Sequence, residues 1–202
     1  MSFISVVNPS PTFSLGVPSQ GLPGSVSETP ESMTDSAICL DAAGLMYGIF
    51  AATVPTAAGV GYYQQGGGGI TTPRQVQRPS ALTGQKIAGV VRRIAGKPRD
   101  FIDTTDVGYK ESCGIVRRGR MWMLCETAIT DPTLATDSFW ARVTVHGGLI
   151  TLGSLRYGDG DPVAGVATCL QLPISVFRPI QAVTPGGIGL FEFDFSHNIA
   201  FA

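Results

Sequence analysis

"VRRGRMWMLCE", residues 116–126, joins three arginines and a glycine to a run of bulky, mostly apolar residues. Gly119 predicts a corner, because glycine readily adopts the left-handed conformation that a type I turn with a bulge requires. Residues 114–117 and 120–126 would then be the two strands of a hairpin, with the arginines at its solvated tip. Residues 121–125 are apolar on both faces, which is typical of a strand buried within a sheet or between layers.

Other stretches of the chain predict further strands. Residues 139–146, FWARVTVH, alternate between apolar and polar side chains, which puts Arg142 on the polar face. Gly147-Gly148 predicts a tight turn into the returning strand LITLGSLR, residues 149–156. Near the end of the chain, GIGLFEFDF (187–195) alternates as well, so that one face carries three phenylalanines and the other carries two acids.

The composition predicts an all-β fold, either a β-sandwich or a partly closed β-barrel. The 202 residues include 26 glycines and 14 prolines, and 44% are hydrophobic, which favours many short strands over long helices. Residues 1–36 hold five prolines and nine serines but no base, and they predict an extended N-terminal arm before a β-rich body at 37–202. A tail without any binding role is the alternative for these 36 residues.

The arm also carries recurring apolar side chains, which a purely disordered linker would hold in smaller number. We therefore expect the arm to gain order by lying on a partner. Its predicted contact residues are Phe3, Ile4, Val6 and Val7.

The charge distribution argues against a nucleic-acid partner, because the net charge is −1. Residues 74–126 carry eleven bases against five acids, whereas the segments on either side are acidic. Such blocks can pair within the fold or between copies. No membrane partner is expected either, since no apolar run reaches the roughly 18 residues that a spanning helix needs. The first residues do not have the pattern of a signal peptide.

No motif in the sequence predicts catalysis, a cofactor or a metal. The four cysteines lack CxxC spacing and are interpreted as buried free thiols. Asp159 and Asp161 resemble only half of a calcium loop. The two histidines, His146 and His197, have no nucleophile or metal ligand at a helpful spacing. We therefore expect a protein that is not an enzyme.

Four segments together resemble the capsid cement, or decoration, proteins of tailed phages. They are IAGVVRR (87–93), GYKESCGIVRRGRMWMLCETAI (108–129), FWARVTVHGGLITLGSLR (139–156) and GIGLFEFDF (187–195). The resemblance covers roughly residues 85–195, and the N-terminal 80 residues match weakly.

The resemblance implies a structural role in the virion. A protein of this family, made in the host cytoplasm, would bind the outer surface of the major capsid protein lattice and stabilise the shell, here as a homotrimer at a threefold position. The expected contacts are the four apolar arm residues together with Arg117, Arg118 and Arg120. Three alternatives remain open: another virion component such as a fibre, tail or head-completion protein, a β-fold hydrolase, and a carbohydrate-binding module.

Overall fold

The prediction of an all-β fold is confirmed. The computed structural model describes residues 21–27, 32–54, 75–80, 85, 87–94, 106–134, 138–144, 152–161, 168–172 and 177–195. Within these ranges, a 3-10 turn at Pro132–Leu134 is the one helical element. The strands are β1 (Met33–Cys39), β2 (Phe50–Thr53), β3 (Gln75–Gln77), β4 (Ile87–Arg92), β5 (Ser112–Cys125), β6 (Phe139–Arg142), β7 (Leu155–Tyr157), β8 (Cys169–Leu172), β9 (Phe177–Pro179) and β10 (Gly187–Asp194).

The first five strands form a closed barrel. They pair in the order β1-β3-β2-β4-β5, and β5 returns to β1, so the ring has no open edge. The β1–β3 pair is parallel, and the other pairs are antiparallel. Small and β-branched side chains fill this barrel, as its narrow interior requires: Ala37, Cys39, Ala51, Val76, Ala88, Val91, Cys113 and Ile115.

A second layer of strands packs beside the barrel. Strand β10 pairs with the C-terminal half of β5 and with β9, while β7 joins the end of β5 to β6 and β8. Aromatic rings dominate the core between these strands and the barrel wall, with ring centroids 5.2–6.5 Å apart. The rings belong to Phe50, Phe139, Phe177, Phe191, Phe193 and Phe195.

Strand β5 is continuous, so the predicted hairpin with a corner at Arg118-Gly119 is wrong. Gly119 does adopt a conformation that favours glycine, with φ of 132°. It lies inside the strand, however, where it pairs with Phe193 of β10. The turn signal therefore marks a strained position within a strand that carries on into the second layer.

An irregularity near this glycine lets β5 serve two cores. Met33 pairs with Arg118 while Thr34 pairs with Val116, so Arg117 is an extra residue on β5. Before this bulge, Ile115 faces the barrel core and Val116 faces the phenylalanine core. Beyond it, Met121 faces the phenylalanine core, although it has the same odd numbering as Ile115. Odd-numbered residues of β5 therefore face the barrel core before the bulge and the phenylalanine core after it, because one extra residue exchanges the two faces of a strand.

The other strand predictions have mixed outcomes. Strands β6 and β7 pair antiparallel as expected, and the turn at Gly147-Gly148 lies outside the described residues. Strand β10 and Phe195 confirm the alternation predicted for 187–195. The prediction for Arg142 is wrong: this residue is fully buried and does not lie on a solvent-exposed face. Strand β1 (Met33–Cys39) crosses the predicted boundary between the arm and the body, which lies between residues 36 and 37.

Candidate functional site

The three arginines predicted to bind a partner separate into two groups. Arg117 is buried, donates a hydrogen bond from Nη2 to the carbonyl oxygen of Phe195 at 3.0 Å, and lies 3.6 Å from Asp35. It therefore ties β1 and β10 to β5 and has little surface to offer a partner. Arg118 and Arg120 point to the surface, although from the middle of a strand and not from a hairpin tip. The four predicted arm residues, Phe3, Ile4, Val6 and Val7, lie outside the described residues.

Arg118 and Arg120 belong to two adjacent charged rows, one of which crosses three strands. Glu192 of β10 pairs in register with Arg120 on one side and with Arg178 of β9 on the other. Its Oε2 lies 3.3 Å from the guanidinium of Arg120 and 3.0 Å from that of Arg178. Asp194 lies 3.6 Å from Arg118 in the next row. We call these five residues the arginine face; sequence reasoning missed Arg178, which only the pairing of β9 with β10 brings here.

The arginine face contributes little to folding. Its five side chains are 38–68% exposed, and ion pairs at such exposure stabilise a protein by about 0–1 kcal/mol. Three guanidinium groups face two carboxylates, so the face carries a positive excess of one. A preformed and positively charged sheet surface suits a partner that carries carboxylates.

Residues 21–27 of the predicted arm are fixed to the body next to this face. Val26 forms an antiparallel bridge with Met121, and the Gly24 amide donates to the carbonyl oxygen of Trp122 at 2.8 Å. Gly21 lies directly against the indole of Trp122, because a Cβ at residue 21 would come within 2.2 Å of its Nε1. We call residues 21–27 the arm root. The arm root thus attaches to the body at Trp122, and residues 1–20 lie outside the described residues.

A buried ionic cluster holds the second layer together. Glu126 accepts two hydrogen bonds from Arg142, at 3.0 Å to Oε1 and 2.6 Å to Oε2. Arg142 also donates to Asp161 and to the hydroxyl of Thr168, both at 2.8 Å. The hydrogen bonds to Glu126 raise the pKa of Arg142 above its ordinary value, so the guanidinium stays charged. These carboxylates explain why Arg142 can be buried on a strand face that was predicted to be wet.

The two acids that resemble half of a calcium loop, Asp159 and Asp161, pair with arginines. Asp159 accepts hydrogen bonds from Arg156, and Asp161 accepts one from Arg142. Among the described residues, no group of three or more acids, histidines and cysteines is placed to hold a metal. His146 and His197 lie outside those residues.

The cysteines are poor nucleophiles in this fold. All four are free and buried, as predicted. Burial raises the pKa of Cys113 to about 12 and that of Cys125 to about 11, and it raises the pKa of Cys39 and Cys169 as well. These thiols therefore remain protonated at neutral pH, where the thiolate is the reactive form.

A further ion pair joins the segments that follow β1 and β3. Arg78 donates from Nε to Oδ2 of Asp41 at 2.9 Å and from Nη2 to Oδ1 at 3.0 Å. Burial by itself raises the pKa of Asp41, but the hydrogen bonds from Arg78 and from the Ala43 amide outweigh that effect and lower it.

Replacing Asp41 with asparagine is expected to lower the stability of the protein at pH 7 by about 1–2 kcal/mol, because charge-assisted hydrogen bonds are lost. A carboxylate with a lowered pKa stabilises the fold above its unfolded pKa, here 3.8, and this stabilisation disappears as the pH falls through the folded value. The gap in melting temperature between Asp41→Asn and the wild type should therefore narrow below about pH 4. Thermal unfolding at pH 7 and at pH 3 measures both values, and a gap that is equal at the two pH values would contradict this assignment.

Comparison with known proteins identifies the family. Among the described residues, no helix is long and apolar enough to cross a membrane. No curated protein sequence matches the chain significantly. The family model described as structural cement protein (E217 gp24/Pam3 gp6) matches residues 11–187. The match covers most of the 202 residues. It includes most of the N-terminal 80 residues, in which the sequence motifs resembled the family only weakly. The chain therefore belongs to the phage structural cement protein family, whose role in the virion is to stabilise the capsid.

Proposed function

We propose that this protein stabilises the phage head by binding the outer surface of the major capsid protein lattice, as a homotrimer at threefold positions. The observation that carries the proposal is the family match over residues 11–187. The fold supports it, because a closed barrel fused to a second layer of strands gives a stiff body. A cement protein needs such a body, since it has to hold neighbouring capsid subunits at a fixed spacing.

The arginine face and the arm are the two contacts through which we propose that each copy is held on the capsid lattice. Arg118 and Arg120 lie on an exposed sheet surface, and the arm root brings the N-terminal segment to the same strand, β5. Two contacts joined in one molecule bind more tightly than either contact alone, because the first raises the effective concentration of the second. Many copies on a repeating lattice multiply this effect.

Binding to DNA-free capsid shells tests the proposed function. Purified protein is mixed with shells of its phage, the shells are sedimented, and the bound protein is quantified against its concentration. We expect saturable binding with a fixed number of copies per shell. A protein that stays in the supernatant at all concentrations would contradict the proposal.

Reversing one charge on the arginine face should weaken this binding. We expect Arg120→Glu to raise the Kd for shells by about tenfold or more, because it repels the carboxylates of the partner and removes a charge-assisted contact. Arg92→Glu is the matched control, as Arg92 is also an exposed strand arginine but lies on the barrel in β4. Equal losses for the two variants would show that overall charge, and not the arginine face, determines binding.

Deleting residues 1–20 tests the arm while leaving the arm root in place. We expect lower occupancy on shells at the same protein concentration, since the apolar residues Phe3, Ile4, Val6 and Val7 are removed. Undiminished occupancy would refute a role for the arm in shell binding.

A further inference from the structure

Two large apolar side chains are exposed near the arm root. Leu22 is 56% exposed, and Ile94 is 40% exposed. A backbone hydrogen bond brings their two segments together. The amide of Arg93, which precedes Ile94, donates to the carbonyl oxygen of Gly24, two residues after Leu22, at 2.7 Å. Trp122 is half-buried under Gly21, the residue that precedes Leu22. We call Leu22, Ile94 and Trp122 the root patch.

The segment that begins at this patch has the complementary chemistry. Residues 1–20 contain no charged side chain and eight apolar ones: Met1, Phe3, Ile4, Val6, Val7, Phe13, Leu15 and Val17. Ordering such a segment costs conformational entropy, which burial of its apolar side chains has to offset. The root patch offers exposed apolar surface for that burial.

The prolines of the segment favour a patch on a neighbouring molecule over the patch of the same molecule. Pro9, Pro11 and Pro18 each favour an extended conformation for the residue that precedes them. The chain is thus biased to run away from Gly21, whose position against Trp122 fixes the point of departure. Twenty extended residues reach up to roughly 70 Å, which is far enough to meet an adjacent body.

We propose that the N-terminal segment, residues 1–20, of one copy docks on the root patch of a second copy, so that neighbouring molecules exchange arms. This inference rests on the proposed function only in requiring that copies assemble with one another. Arm exchange would join the copies through apolar contacts in addition to their shared binding to the shell.

Cysteine cross-linking between two tagged forms of the full chain tests the exchange. One form carries a single arm substitution, Ile4→Cys, Val7→Cys or Leu15→Cys, and the other carries Ile94→Cys. The native thiols should not interfere, because burial keeps them protonated at neutral pH. The two forms are mixed, treated with a short bis-maleimide and separated by size under denaturing conditions.

We expect at least one arm position to give about tenfold more cross-linked heterodimer with Ile94→Cys than with Ser112→Cys, an exposed site at the start of β5, because docking raises the effective concentration of the two thiols. Heterodimer yields equal to this control at all three arm positions would overturn the proposal. A chain that carries both an arm cysteine and Ile94→Cys and cross-links only within itself would also overturn it, as the arm would then dock on its own body.

This experiment contains no capsid shell, so its result is independent of the sedimentation test. Shell binding without arm exchange would leave the proposed function in place and remove the exchange alone.

Discussion

Arg142→Met is expected to lower the free energy of unfolding by about 3–5 kcal/mol, the cost of breaking a buried ion pair by removing one partner. The Arg142 side chain is 0% exposed, and its loss leaves Glu126 and Asp161 with fewer partners at 10% and 26% exposure. Arg156 lies 3.8 Å from Glu126 and 3.9 Å from Asp161, so it can compensate only in part. Chemical denaturation measures the loss.

Arg178→Met provides the matched control for this prediction. Arg178 also pairs with a glutamate, at 3.0 Å, but its side chain is 68% exposed, so its replacement should change stability by less than about 1 kcal/mol. The double variant Arg142→Met/Glu126→Gln should recover part of the loss, because it removes one uncompensated charge. If Arg142→Met and Arg178→Met unfold at the same denaturant concentration, the buried cluster does not stabilise the second layer as we describe.

Gly89→Ala is expected to destabilise the barrel by about 2–5 kcal/mol, the combined cost of backbone strain and overpacking. Gly89 has φ of 144°, and a Cβ there would lie 2.3 Å from the carbonyl oxygen of Val116 and 2.8 Å from Cγ2 of Ile115. Both contacts are with β5, to which β4 must hydrogen-bond to keep the barrel closed. The clash can be relieved only if these two strands move apart.

The variant Gly158→Ala separates the energetic cost of backbone strain from the cost of a steric clash. Gly158 also has a positive φ, 105°, but a Cβ there would meet nothing within 4 Å. This variant should therefore lose only the cost of backbone strain, about 1–3 kcal/mol. Thermal or denaturant unfolding compares the two variants, and equal losses would mean that β4 and β5 do not approach each other as closely as the structure shows.

Local alternation predicted the parts of the fold that depend on neighbouring residues. The buried phenylalanines of β10 and the pairing of β6 with β7 follow from a period of two in the sequence. The conformation of Gly119 could be anticipated for the same reason, because the requirement for glycine is local. Whether the chain then turns or continues depends on long-range pairing with β10, which the local sequence does not specify.

The candidate site was less predictable, because its parts come from distant segments. Arg118 and Arg120 were identified from their clustering, whereas Arg178 joins them only through the register of β9 and β10. The burial of Arg142 likewise depends on Glu126 and Asp161, which lie on other segments. An isolated arginine in an otherwise apolar strand, in a chain with 14% charged residues, was the one available signal.

The arm was predicted as a compositional unit of 36 residues, and this boundary stays a prediction. The structure adds that residues 21–27 bind the body through β5 and that β1 begins at Met33. The segment that we propose to reach a partner is therefore residues 1–20. Sequence composition could not reveal the anchoring point, because Gly21 and Gly24 fit there through close contacts with Trp122 and Tyr47 that only the fold creates.

Electron microscopy of phage particles made with and without this gene product tests the central claim most directly. We predict density on the outer surface of the head that repeats at threefold-related positions over the whole lattice, disappears when the gene product is absent, and accommodates the barrel and the second layer of strands. Heads without it should also rupture at a lower temperature. Density confined to a single vertex or to the tail, or heads that are identical in both preparations, would contradict the account.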